Sequence, residues 1–285
     1  MFKILGGINN MKIEFNEEEI KNIYKYYFVD NMSFRELHEI YGCSATVFHR
    51  IFNENGWTPH KPQYKNTLYS VNEHFFDKID TPDKAYCLGL FYADGCNLLE
   101  SNYISIELQA NDYDVLNSIN NLLENTSPVK IYSSENKTNR KLDTCRIRIR
   151  SEYLCNRLNE LNFIPRKSLT LDFPYWMDDE LIPYMLRGYI DGDGWVQKYR
   201  IGFMSTDKFC KGVKKYFDSI GLECHIRDMK RKYNEHTKTF DINGRKNIIP
   251  FVEKMFSGGT IFMDRKVKKY IEFGFLDDKN NSLIA

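Results

Sequence analysis

Apolar residues recur at helical spacing from residue 16 onward. Ile20, Ile23, Tyr24 and Tyr27 share one stripe, and Asn16, with Glu19 three residues on, is placed to cap the segment. Ser33 and Glu36 have capping-box spacing ahead of Phe34, Leu37 and Ile40, and Gly42 ends that run. Ser44 opens a third segment with Val47, Phe48, Ile51 and Phe52 inward, closing at Asn55-Gly56. The pattern predicts a small all-α helix-turn-helix unit over 1–57. Thr46, His49, Arg50 and Asn53 face outward from its last helix, as DNA-contacting groups do in such units; a three-helix bundle serving as a protein contact is the competing reading. Met1 to Asn10 reads as a loose tail, with Met11 as another possible start. Residues 58–72, with Pro59, Pro62 and Lys65, read as a linker.

The period then changes. Thr81-Pro82 opens an apolar helix, with Pro at the first helical place. Asn102 to Gln109 alternates, with Ile104, Ile106 and Leu108 on one face, which predicts a half-buried strand. Asp112 to Leu123 and Tyr153 to Leu161 predict helices, and Val129 to Ser133 a strand. Cys145 to Arg150 predicts another strand, with Ile147 and Ile149 inward and Arg146, Arg148 and Arg150 outward. Three arginines along one strand face repel each other unless a polyanion lies across them, although edge strands also carry such charges. Arg200, Arg227, Met229 and Arg231 are the corresponding outward groups expected downstream.

Two short stretches are versions of each other, Cys87 to Gly95 and Leu186 to Gly194. Each carries small residues four apart, Gly89 with Ala93 and Gly188 with Gly192, and each ends in Asp-Gly. Small residues on one helical face let two backbones approach closely. Packed along that face, the helices would bring Asp94 and Asp193 together at a shared end, where two carboxylates favour a divalent cation between them. The plain alternative is a pair of Asp-Gly turns at helix ends. Setting Asp94 on Asp193, an offset of 99, aligns the patterns that follow, with the offset near 95 in the middle portion, where Cys145 to Arg150 answers to Phe240 to Arg245. It also aligns Arg166-Lys167 with Arg265-Lys266, so each lysine lies 73 residues after its aspartate. The chain therefore divides into halves over 73–175 and 176–275, with a tail at 276–285.

Overall charge is +1, which alone gives no reason for a polyanionic partner, but the charge is uneven. Val196 to Tyr270 holds 18 Lys or Arg against 8 Asp or Glu, whereas Met11 to Trp57 holds 5 against 8. That split suits one face attracting nucleic acid while the whole stays near neutral. The 7 cysteines are scattered and never form Cys-x-x-Cys, so free buried thiols are expected rather than disulfides or zinc. No apolar run suggests a membrane span or signal peptide, and a soluble, cytoplasmic protein is expected.

From Thr81 to Phe273 these motifs, with Pro165-Arg-Lys-Ser168 and Asp264-Arg-Lys-Val267, resemble the LAGLIDADG homing endonuclease family in its monomeric, two-motif form. The resemblance implies an α+β fold, a pseudo-symmetric duplicated αββαββα core whose antiparallel sheets form a DNA-binding saddle. It implies a Mg²⁺ (or Mn²⁺) dependent endonuclease acting on double-stranded DNA at a long asymmetric site. Carried over, Asp94 and Asp193 hold metal, with the carbonyls of Ala93 and Gly192 as further ligands. Lys167 and Lys266 are the lysines beside the scissile phosphates, a role weighed against mere phosphate contact or solvation. The chain departs from the family motif at Cys87, Leu88, Phe91, Tyr92, Arg187 and Tyr189. An intron-splicing maturase, with RNA as partner, or a non-cleaving DNA-binding regulator is the alternative on the same scaffold.

Overall fold

In unit one, Met1–Asn66, the side-chain caps foreseen for the first two helices are formed. Helix α1 (Glu17–Tyr24) starts at Asn16, whose Oδ1 accepts from Glu19 N at 2.9 Å while Glu19 accepts from Asn16 N at 2.8 Å. It runs into a π turn, Lys25–Val29. Helix α2 (Phe34–Tyr41) has the same reciprocal cap between Ser33 and Glu36, and Gly42, at φ +67°, closes it in the left-handed region. Helix α3 (Ala45–Glu54) follows after Ser44. Ile23, Leu37, Phe48, Ile51 and Phe52 form the fully buried centre, whereas Tyr24 and Ile40, read as inward, are exposed. Tyr24 packs at the edge of this core, its ring against Phe28 and Trp57.

The structure is a computed structural model and describes residues 13–30, 32–59, 69–135, 141–228 and 237–277. Unit two, Thr67–Ala285, contains two successive arrays of like order. The first comprises α4 (Pro82–Asp94), β1 (Gly95–Leu98), β2 (Tyr103–Gln109), α5 (Tyr113–Leu122), β3 (Lys130–Glu135), β4 (Lys141–Arg150) and α6 (Glu152–Glu160). The second comprises α7 (Ile182–Asp193), β5 (Gly194–Gln197), β6 (Arg200–Thr206), α8 (Asp207–Ser219), β7 (His225–Asp228), β8 (Thr237–Asn243), α9 (Arg245–Phe256) and α10 (Asp264–Glu272). The antiparallel sheets have matching orders, β1-β2-β4-β3 and β5-β6-β8-β7. The fold is α+β and duplicated.

Strand alternation sets what each sheet buries. Ile104, Ile106 and Leu108 of β2 and Cys145, Ile147 and Ile149 of β4 point into the core, and Ile201, Phe203, Phe240 and Ile242 do so in the second sheet. One continuous core joins both arrays, with α4 and α7 in its middle. Residues Ala85 to Ala93 of α4 are buried without a break, as expected of a helix apolar on all sides.

The ladders also revise the repeat. Gly95 pairs with Ile106 and Ile106 with Ile147, while Gly194 pairs with Phe203 and Phe203 with Phe240. Phe240 is thus the counterpart of Ile147, not of Cys145 as the sequence alignment placed it. A slip of two residues keeps every side chain on its own face, so alternation could not reveal it. The counterpart of Arg148 is then Asp241.

Candidate active site

Helices α4 and α7 meet along their small residues. A Cβ on Gly89 would lie 1.9 Å from the Met185 carbonyl oxygen, and one on Gly188 would lie 2.1 Å from that of Tyr86. One turn later the same stripe brings the helix ends together: a Cβ on Gly192 would lie 2.6 Å from Asp94 Oδ2. Neither Asp-Gly step is a left-handed turn. Gly95 and Gly194 are extended and begin β1 and β5 directly, so each aspartate ends a motif helix where the chain enters its sheet.

The lysines of both halves reach this end. Lys167 Nζ donates to the Gly95 carbonyl at 2.5 Å, and Lys266 Nζ donates to the Gly194 carbonyl and to Ile190 O at 3.1 Å. Lys167 sits in a short 3-10 turn, Lys167–Leu169, after Arg166 in left-handed backbone, whereas Lys266 lies in the first turn of α10. Different local structures therefore deliver equivalent ammonium groups to equivalent carbonyls.

The electrostatics are those of charges held close. Burial, and next the charge of Asp193, push the Asp94 carboxyl up to about 6, against the pull of Lys167 and Arg265. Asp193 is raised too, by desolvation, with Lys167 and Lys266 opposing. Burial lowers Lys167 despite both aspartates, and lowers Lys266 to about 8. A cation between the carboxylates would relieve their repulsion. Among the described residues no group of three or more His, Cys, Asp or Glu could hold a metal, so the donors here are two carboxylates, last-turn carbonyls such as those of Ala93 and Gly192, and water. That hard, oxygen-only set fits Mg²⁺, which keeps several waters and needs few protein ligands.

A stability test follows from the raised Asp94. A carboxyl whose folded pKa exceeds its ordinary 3.8 favours folding when protonated, and that contribution is lost as pH rises through about 6. Asp94→Asn is therefore expected to raise the melting temperature in chelator-treated buffer at pH 7.5, by a few degrees at most. The gain should fade as pH falls from 6 toward 4. A constant difference across that range would show that Asp94 is not strained by its neighbours.

Several residues at the site are not among those the sequence pattern singles out as site residues. Asp191 is buried beneath the helix end, where it accepts from Tyr86 Oη at 2.8 Å and from Met263 N at 2.9 Å, just ahead of α10 and Lys266. Desolvation pushes it up to about 6. The doubled acid in Asp191-Gly-Asp193 was the available clue. Asp112, also buried, accepts from Arg265 Nε at 2.9 and 3.0 Å and so ties the first array to the second. Arg187, one of the motif departures, is 1% exposed and donates to Met255 O at 2.6 Å and to Gly258 O at 3.2 Å. Tyr86 and Phe256 lie within 5.2 Å of its guanidinium.

On the outward face of the first sheet, Arg146 pairs with Glu107 and lies over Tyr132, Arg150 lies over Tyr103, and Arg148 is exposed opposite Ser105. On the second, Arg200 accompanies Gln197, and Arg200 and Arg227 flank Asp241. Met229 and Arg231 lie outside the described residues. In unit one, Thr46 and His49 are exposed on α3, with His49 packed against Phe34, while Arg50 donates to the Ile13 carbonyl and pairs with Glu54 at 3.7 Å. No helix among the described residues is long and apolar enough to cross a membrane.

No curated protein matches the sequence. The fold is loosely similar to that of the homing endonuclease I-WcaI bound to its DNA recognition sequence, at 12% identity over 77% of this chain and 96% of that one, TM-score 0.48. It is comparably similar to I-SmaMI bound to uncleaveable DNA, at 12% identity over 70% and 92%, TM-score 0.45. Full-length DUF199/WhiA from Thermatoga maritima matches at 16% identity over 75% and 69%, TM-score 0.44. Residues 180–255 match the model of the LAGLIDADG-like domain, which takes in α7 with Asp193 and the whole second sheet. Residues 180–255 thus carry a LAGLIDADG-like domain, and the sheet of the first array repeats the strand order of the second.

Proposed function

We propose that the protein is a site-specific double-strand DNA endonuclease, a Mg²⁺-dependent phosphodiester hydrolase in which one chain supplies both halves of the site. The observation that carries this reading is the meeting of Asp94 and Asp193 at the ends of two helices packed through glycine, with one lysine from each half beside them. A divalent cation held there would polarise a phosphoryl oxygen and stabilise the leaving oxygen. The chain's own contribution is to fix the two carboxylates on rigid helices, one for each array. Lys266, lowered to about 8, is poised to offset phosphate charge or to exchange a proton near neutral pH. Lys167 is placed to do the same for the other half. The outward arginines, Arg146, Arg148 and Arg150 on one sheet and Arg200 and Arg227 on the other, would grip a duplex along the saddle. Because the two faces differ, the target is long and asymmetric. Residues 1–57 would add contacts through Thr46 and His49.

The experiment is direct. The full chain is incubated with a duplex joining the DNA on either side of its gene, and with a library of randomised duplexes, in Mg²⁺ and in chelator. Cutting of both strands at one site, in Mg²⁺ only, is expected. Tight binding to a duplex without cutting would replace the nuclease with a regulator, and tight binding to structured RNA without cutting would replace it with a maturase.

A further inference from the structure

The outward face of the second sheet holds a charge that does not belong on a surface meant for phosphates. One cross-strand row runs Trp195, Gly202, Asp241, His225. Its counterpart in the first sheet runs Cys96, Ser105, Arg148. Where the first half shows solvent an arginine, the second half places an aspartate. Asp241 is 0% exposed, although its neighbours Phe240 and Ile242 point the other way, into the core. The indole of Trp195 fills the space left by the missing side chain of Gly202, since a Cβ there would lie 2.7 Å from the ring.

Two guanidinium groups answer this carboxylate. Arg227 Nη2 lies 3.3 Å from Oδ2 and Arg200 Nη1 lies 3.9 Å from Oδ1, yet among the described residues neither carboxylate oxygen has a hydrogen-bond partner. The attraction is between charges, not the bidentate fork that would occupy one edge of a guanidinium. Arg200 is further fixed by Gln197 Oε1 at 2.7 Å and lies over the Trp195 ring at 5.9 Å. Both arginine side chains remain about half exposed, 43% for Arg200 and 53% for Arg227. Their inner ends are held while their outer edges stay open. Burying a carboxylate without hydrogen bonds is costly, so the arrangement is poorly explained as a contribution to stability.

We propose that Asp241 is a positioning residue that aims Arg200 and Arg227 for sequence-specific reading of the DNA half-site held by the second sheet. The proposal rests on the DNA-binding reading above. A guanidinium reads guanine through two parallel hydrogen bonds, which demand a fixed direction, and an arginine held before binding loses less freedom on contact. A phosphate contact needs no such aim. Asp241 therefore trades non-specific attraction, which its negative charge weakens, for discrimination between bases.

Wild type is used to select its preferred duplex from a randomised library. Affinities of wild type and Asp241→Asn for that duplex and for a scrambled one are then measured over a range of NaCl concentrations. The selected-to-scrambled ratio is expected to fall about tenfold, with the scrambled duplex bound as tightly or more tightly. The salt dependence should steepen by about one phosphate contact. The base positions that lose preference should be those lost in Arg200→Gln and Arg227→Gln. An unchanged ratio, or parallel weakening on both duplexes, would overturn the positioning role while leaving the nuclease reading intact. Failure of wild type to prefer any duplex would overturn that reading and this inference with it.

Discussion

Replacing either Asp94 or Asp193 by Asn is expected to slow cleavage by about 10³-fold while target binding stays level or tightens. Asn keeps the shape and one oxygen but removes the negative charge that would hold a cation. The same loss of charge removes repulsion toward the phosphates, which is why binding should not suffer. The two acids form a single cluster: Asp94 lies against Gly192, and Asp193 interacts with Lys167 and Lys266 together. One substitution should therefore impair cutting of both strands. The measurement is single-turnover cleavage of a doubly end-labelled target, with gel-shift affinity in Ca²⁺ alongside. Cutting that persists in both variants would remove the aspartates from the chemistry. Clean nicking of one strand would instead show that each acid serves its own strand.

The parts of this site that could be read from sequence were those fixed by local pattern. The small residues and terminal aspartates of the two motifs survive as spacing because a helix converts spacing into a face, and the lysines because duplication repeats the same distance in each half. Capping boxes at Asn16 and Ser33 were legible for the same reason, since each is complete within four residues. Asp191, Asp112 and Asp241 were not. Their roles depend on partners 72 to 153 residues away or on cross-strand register, and register has a period of two that sequence alternation cannot resolve. Thus the arginine face of the first half was found from β4 alone, whereas its acidic counterpart became visible only when the ladder set Asp241 across from Gly202. Arg187 marks a different limit. Its charge reads as surface, and only its cage of carbonyls and rings shows why a buried helix face tolerates it.

Alanine at Gly89 or Gly188 is expected to lower the melting temperature by about 6–12 °C, corresponding to about 3 kcal/mol in a unit of this size. In an isolated helix the same change would add about 1 kcal/mol of stability, so the sign itself is diagnostic. The reason is that the clash is with backbone: 1.9 Å to the Met185 carbonyl oxygen in one case and 2.1 Å to that of Tyr86 in the other. A side chain could turn aside, but a carbonyl can withdraw only if the helix carrying it moves. That helix carries half of the core and one of the two aspartates. Separation enough to admit a methyl group would widen the gap between Asp94 and Asp193 by a comparable distance. Cleavage measured well below the lowered melting temperature should therefore fall as well, whereas a loss of stability alone would leave the rate of the folded fraction intact. Melting at or above the wild-type temperature in both variants would show that the helices stand further apart, and the convergence of the two carboxylates would lose its structural basis.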